Sequence, residues 1–166
     1  MKGPKIIAVS GIKNSGKTTL ITRLIPVLGS RGHHIAVIKH DGHDFQCDIE
    51  GTDTYRFIES GAYGTAIFSQ NRLFVHKVRT GVTEENLIGL FPDADIIFLE
   101  GFKELPYPKI EIVRMGISES PVSNPRGRFL IVSDHPEDIF DEPCADIDDI
   151  EKIANIIEDL PYDFCE

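Results

Sequence analysis

The chain is short of basic charge. Against 27 acidic residues it carries only 17 Lys and Arg, and its formal charge is −10 at pH 7. A surface of that sign repels polyanions, which argues against non-specific binding to nucleic acid or to an anionic membrane. It leaves room for a local basic pocket around a small anion. Long apolar runs are missing too: none approaches the roughly 20 residues that a membrane-spanning helix needs. Cysteine is scarce. Cys47, Cys144 and Cys165 are widely spaced and odd in number, show no zinc-type spacing and suggest no disulfide framework. Met1-Lys2-Gly3-Pro4 leads straight into an apolar stretch without the pattern of a signal peptide, so a cytoplasmic protein is expected. Repeats, low-complexity tracts and linkers are also absent. With 166 residues and a hydrophobic fraction of 41%, the expectation is a single domain, 1–166, with a real core.

What is present alternates between strand and helix patterns. Apolar runs at 6–9 and 35–39 read as strands, and 17–28 as a helix with Leu20, Leu24 and Leu28 on one face. Pro26 should kink that helix or end it early. A helix at 54–60 stops at Gly61. Strands at 64–69 and 73–78 meet at Asn71-Arg72 as a hairpin. Thr83 and Asn86 resemble a capping box opening a helix at 83–90. The run 95–100 is the most apolar strand, and 110–114 and 129–133 are further strands. A last helix at 146–160 turns Ile147, Ile150, Ile153, Ile156 and Ile157 inward. This pattern predicts an α/β fold of the P-loop NTPase type. Its sheet is mostly parallel and twisted, with helices on both faces and an antiparallel hairpin at one edge.

The most informative stretch joins the first strand to the first helix. Gly11-Ile12-Lys13-Asn14-Ser15-Gly16-Lys17-Thr18 fits G-x-x-x-x-G-K-[ST] at every fixed position. Glycines let the backbone turn sharply and point N–H groups inward at an anion. The helix start adds its positive dipole end. Lys17 can reach the β- and γ-phosphates, and the Thr18 hydroxyl can ligate Mg²⁺. The expected nucleotide-binding set is Gly11, Lys13, Asn14, Ser15, Gly16, Lys17, Thr18 and Thr19. An acid at the end of a neighbouring parallel strand should complete the metal site. Glu100, which closes the most apolar strand and precedes Gly101, is that candidate. Lys17 and Glu100 are thus the expected catalytic residues, and Thr18 and Glu100 the expected metal ligands. Asp134 also follows an apolar strand, where a functional and a structural role weigh equally.

Two more clusters fall at strand ends. The polar stretch 39–54 begins with Lys39, His40 and His43 and carries several acids. It suits a second anionic ligand, or a sensor of the γ-phosphate, better than a transition metal, because His40 and His43 are only three apart in an expected loop. Asp53-Thr54 also suits a helix cap. Further on, Lys103, Lys109 and Arg114 stand out as cations in an acidic chain, and Lys103 and Lys109 are candidate phosphate contacts.

These motifs, taken in order, resemble the molybdopterin-guanine dinucleotide biosynthesis protein B (MobB) family. The resemblance rests on the glycine-rich loop, Val37-Ile38-Lys39-His40 with His43-Asp44-Phe45 and Asp48, and Gly51-Thr52-Asp53-Thr54. It continues through Ser60-Gly61-Ala62, Leu99-Glu100-Gly101-Phe102-Lys103 and Pro108-Lys109-Ile110-Glu111 with Val113-Arg114. Thr52 departs from the Lys expected there. The resemblance implies a GTP-binding protein with Mg²⁺ and weak GTPase activity. It implies a homodimer with extended sheet contacts that assists the nucleotidyltransferase MobA in joining GMP to molybdopterin. Molybdopterin or its dinucleotide form is then the second ligand near 39–53. Guanine preference rests on resemblance alone, since no Asn-Lys-x-Asp motif is present. Two other readings remain open on the residues. One is a small P-loop metabolite kinase, against which stands the absence of an Arg-rich lid. The other is a nucleotide-dependent metallochaperone using His40 and His43.

Overall fold

The computed structural model describes residues 3–42, 45–135 and 140–161. Its elements in chain order are β1 (Lys5–Ser10), α1 (Lys17–Ser30), β2 (Ile35–Lys39), α2 (Asp53–Glu59), β3 (Gly64–Phe68), β4 (Leu73–Lys77), α3 (Glu84–Ile88), β5 (Ile96–Glu100), β6 (Lys109–Val113), β7 (Arg128–Ser133), β8 (Cys144–Asp146) and α4 (Ile150–Asp159). They fall into two compact units, Met1–His40 with Ile88–Glu166, and Asp41–Leu87.

The first unit is built on a six-stranded sheet in the order β2-β5-β1-β6-β7-β8. Every neighbouring pair in it is parallel. β5 and β6 are buried at every position, as their unbroken apolar or mixed runs require of central strands. Along each strand successive side chains point to opposite faces. Ile7 and Val9 of β1, Phe98 of β5, Ile110 and Ile112 of β6 and Val132 of β7 form one face. There they meet Leu20, Leu24 and Leu28 of α1 and Ile153 and Ile157 of α4 in one core. α1 and α4 lie side by side on this face. On the opposite face, over Lys109 and Glu111, the covering groups come from loops around residues 103–105 and 122–124.

The second unit contains α2 and a two-stranded antiparallel sheet, β3-β4, with Phe68 opposite Leu73 and Ala66 opposite Val75. The expected hairpin therefore forms, but as a sheet of its own rather than as an edge of the main one. α2 is capped by Thr52, whose hydroxyl accepts from the Tyr55 N–H at 3.4 Å. Asp53, expected as the cap, is already the first helical residue. The Thr83–Asn86 box does form: each backbone N–H donates to the other's side chain, at 3.4 and 3.3 Å.

Two expectations about helices change. α1 runs through Pro26 to Ser30. Leu24 and Leu28, one on each side of the proline, are both fully buried, and that packing outweighs the roughly 3 kcal/mol penalty of an internal proline. The final helix begins at Ile150 rather than 146, with the Asp149 carboxylate accepting from the Lys152 N–H at 3.1 Å. Cys144–Asp146 instead extends as β8 beside Ile131–Ser133.

Candidate phosphate-binding site

The loop between β1 and α1 has an unusual backbone. Gly11, Asn14 and Gly16 all adopt positive φ, at 140°, 64° and 103°. At Gly11 the need for glycine is steric as well. A Cβ there would lie 2.6 Å from Ser15 Oγ and 2.9 Å from the Ile112 carbonyl oxygen. The loop is thus folded tightly against β6. Ser15 is fully buried, and its hydroxyl has no hydrogen-bond partner among the described residues. Gly16 stands at the N-cap of α1 and has no side chain to cap it, and among the described residues no other side chain does so, so the positive end of the helix is left for another group.

Lys17 arches back over this loop. Its ammonium donates to the carbonyls of Gly11 at 3.0 Å and Ile12 at 2.7 Å. Burial lowers its pKa below the ordinary lysine value, while the charges of Glu100 and Glu111 work in the other direction. One residue on, Thr18 Oγ1 lies 3.0 and 3.1 Å from the two Glu100 carboxylate oxygens. Lys39 Nζ approaches the same carboxylate at 3.7 Å. Register explains the convergence, because Lys39 and Glu100, the last residues of β2 and β5, are level with each other and with Val9, one residue before the end of β1. Glu100 is 8% exposed and points to the α1 face of the sheet.

The turn after β5 is stapled to β1. Gly101 N donates to the Val9 carbonyl at 3.0 Å, and Ser10 Oγ donates to the Gly101 carbonyl at 2.9 Å. Phe102 follows with φ of 47°, and its ring meets His40 edge-on at 5.8 Å. This brings together Lys17, Thr18, Glu100, Lys39 and His40. Lys13, Asn14 and Thr19 are exposed on the loop and the first turn of α1. Lys103 is exposed beside Glu104, 3.8 Å away. His43 lies outside the described residues, and among those described no three His, Cys, Asp or Glu side chains are grouped to hold a metal on their own.

Lys109 does not face a ligand. It is fully buried, and its ammonium donates to the carbonyls of Lys103, Leu105 and Asn124 at 3.1, 2.6 and 3.2 Å. It opens β6 on the sheet face away from α1, where it binds the covering loops. The expected phosphate role is corrected accordingly: three carbonyls already take up the three protons of the ammonium.

Two residues carry more than their sequence context suggested. Arg114, directly after β6, places Nη1 3.9 Å from the point where a Gly16 Cβ would stand. Asp134, directly after β7, receives Arg114 Nε at 3.4 Å and the Met115 N–H at 2.9 Å. The backbone bond from Met115 is the largest influence holding the Asp134 carboxyl below its usual pKa. The signal available in the sequence was position alone, a charged residue just past an apolar strand.

Parallel strands, a tight glycine loop and a Thr–acid pair at the strand ends define an α/β protein of the phosphate-loop type. Residues 6–134 match the sequence model of MobB, molybdopterin guanine dinucleotide synthesis protein B. A Haemophilus influenzae protein named molybdopterin-guanine dinucleotide biosynthesis adapter protein is 31% identical over 162 residues, 96% of this chain and 90% of that one. An Escherichia coli protein of the same name is 33% identical over 159 residues, 92% of this chain and 90% of that one. The solved structure of Bacillus subtilis MobB superposes with a TM-score of 0.76 at 28% identity, covering 95% of this chain and 98% of the other. The chain belongs to the MobB family.

If Lys109 is structural, Lys109→Met should leave three buried carbonyls without a donor. It should lower unfolding free energy by about 3 kcal/mol or more. Urea denaturation reads this directly; a midpoint equal to wild type would contradict the assignment.

Proposed function

We propose that this protein is a GTP-binding adapter in molybdenum cofactor biosynthesis. It assists a nucleotidyltransferase, MobA in the family expectation, in attaching GMP to molybdopterin. Family membership favours this reading over a metabolite kinase. The observation that carries the nucleotide part is the pairing of Thr18 with Glu100 beside a loop closed by Lys17.

The donor set suits a triphosphate with Mg²⁺. Lys17 now satisfies itself on two carbonyls and is free to exchange them for phosphate oxygens, a stronger, charge-assisted contact. The uncapped start of α1 and the buried Ser15 hydroxyl offer further donors. Thr18 and Glu100 would hold Mg²⁺, which supplies neutralising charge at the β- and γ-phosphates. Glu100 is buried enough to keep its orientation and would also align water for the weak hydrolysis that this reading includes. Lys39, His40 and Lys103 are the cations and donors proposed for the second ligand, molybdopterin or its dinucleotide form.

A homodimer is part of the same proposal. A lone two-stranded sheet is marginal in water, and the β3-β4 sheet carries exposed Phe68, Leu73 and Val75 on one face. Covering that face with a second copy would remove it from solvent. Sedimentation should show a dimer for wild type and a monomer for Phe68→Glu/Leu73→Glu; a double variant that remains dimeric contradicts this interface.

The nucleotide reading is tested by a pair of variants. Lys17→Ala should weaken GTP binding at least tenfold, about 1.4 kcal/mol. Glu100→Gln should bind GTP nearly as well in calorimetry but hydrolyse it more slowly. GTP affinity unchanged in Lys17→Ala would reject the phosphate-loop reading.

A further inference from the structure

We propose that Arg114, held in place by Asp134, is a second cationic contact for the nucleotide, on the α-phosphate rather than the γ-phosphate. The inference rests on the phosphate-loop reading above and adds a residue and a direction to it.

The direction follows from topology. β1, which runs into the loop, lies between β5 and β6. Glu100 ends β5, so the metal-binding pair with Thr18 stands on that flank. Arg114 follows β6, on the other flank. β6 runs past the end of β1, since Ser10 is level with Glu111, and Ile112, Val113 and Arg114 continue alongside the loop. The closeness of the Ile112 carbonyl to Gly11 marks this contact, and Arg114 Nη1 reaches to 3.9 Å from the Gly16 Cβ position. A polyphosphate whose metal-bearing end lies at Thr18 and Glu100 has its other end toward Arg114.

The arginine is also aimed. Ser118 Oγ accepts from its backbone N–H at 3.1 Å, and its carbonyl accepts from the N–H groups of Ile117 and Ser118 at 3.0 and 2.8 Å. Asp134 takes Nε and leaves Nη1 and Nη2 without a side-chain acceptor among the described residues. Those two nitrogens form a planar pair suited to two oxygens of one phosphate. Ser15, fully buried under the loop with an unpartnered hydroxyl next to Gly11, is an independent sign that the loop is built around an absent acceptor. Asp134 is thus a positioning residue, and Arg114 the residue that touches the ligand.

An α-phosphate contact is common to di- and triphosphates and does not pass through the metal. Calorimetric titration of the full chain with GDP and GTP, each with Mg²⁺ and with EDTA, tests this. Arg114→Ala should weaken all four affinities by a similar factor of about ten or more. Asp134→Asn, whose amide oxygen still accepts the Met115 N–H, should weaken them severalfold. In the Arg114→Ala background it should add nothing, whereas a merely structural role would add its effect in both backgrounds. If Arg114→Ala does not fold, Arg114→Lys serves, with a smaller uniform loss expected because the fork is gone. Unchanged affinities overturn the inference. A loss confined to GTP with Mg²⁺ also overturns it, since that would place Arg114 at the γ-phosphate. Wild-type protein that binds neither nucleotide overturns the phosphate-loop reading itself.

Discussion

The hydrogen bonds between Thr18 and Glu100 join the first turn of α1 to the end of β5. For these groups to meet, three things must hold at once. β5 must lie beside β1 in parallel register, the loop must turn within the six residues between β1 and α1, and α1 must pack on the face to which Glu100 points. The sheet order provides the first. Positive φ at Gly11, Asn14 and Gly16 provides the second. Burial of Leu20, Leu24 and Leu28 against Ile7, Val9 and Phe98 provides the third. The polar contact at the strand ends is therefore a consequence of apolar packing one turn away. Burial of apolar side chains is the term large enough to fix the helix in place.

The opposite face of the sheet follows a different logic. There Lys109 and Glu111 of β6 are buried and are met by backbone rather than by helices. Lys109 takes three loop carbonyls, and Glu111 accepts from the Val122 N–H at 3.0 Å. A loop laid over a sheet brings unpaired peptide groups with it. A buried ammonium and a buried carboxylate supply a donor and an acceptor for those groups. The carboxylate also reaches the candidate site at a distance, since Glu111 favours the protonated form of Lys17.

Much of this was legible in the sequence. The glycine-rich loop, the parallel α/β class and the place of Glu100 at a strand end were evident because each rests on local pattern: fixed spacing, periodicity, or an acid closing an apolar run. β8 was not, because Cys144–Asp146 has three residues and no alternation long enough to separate it from a helix start. The cap of α2 was misplaced by one residue, as Ser, Thr and Asp are nearly interchangeable there. Lys109 looked like a ligand cation because composition reports charge and not which face of a strand carries it. Arg114 and Asp134 gain meaning only from the adjacency of β6 and β7, which is a tertiary fact.

The central claim is that Lys17 and Thr18 occupy provisional partners that a nucleotide replaces. A crystal structure with Mg²⁺ and a slowly hydrolysed GTP analogue tests it most directly. The account predicts Lys17 Nζ on phosphate oxygens, away from the Gly11 and Ile12 carbonyls, and Thr18 Oγ1 turned from Glu100 to the metal. Nucleotide bound elsewhere, with Lys17 still seated on its two carbonyls, would contradict it.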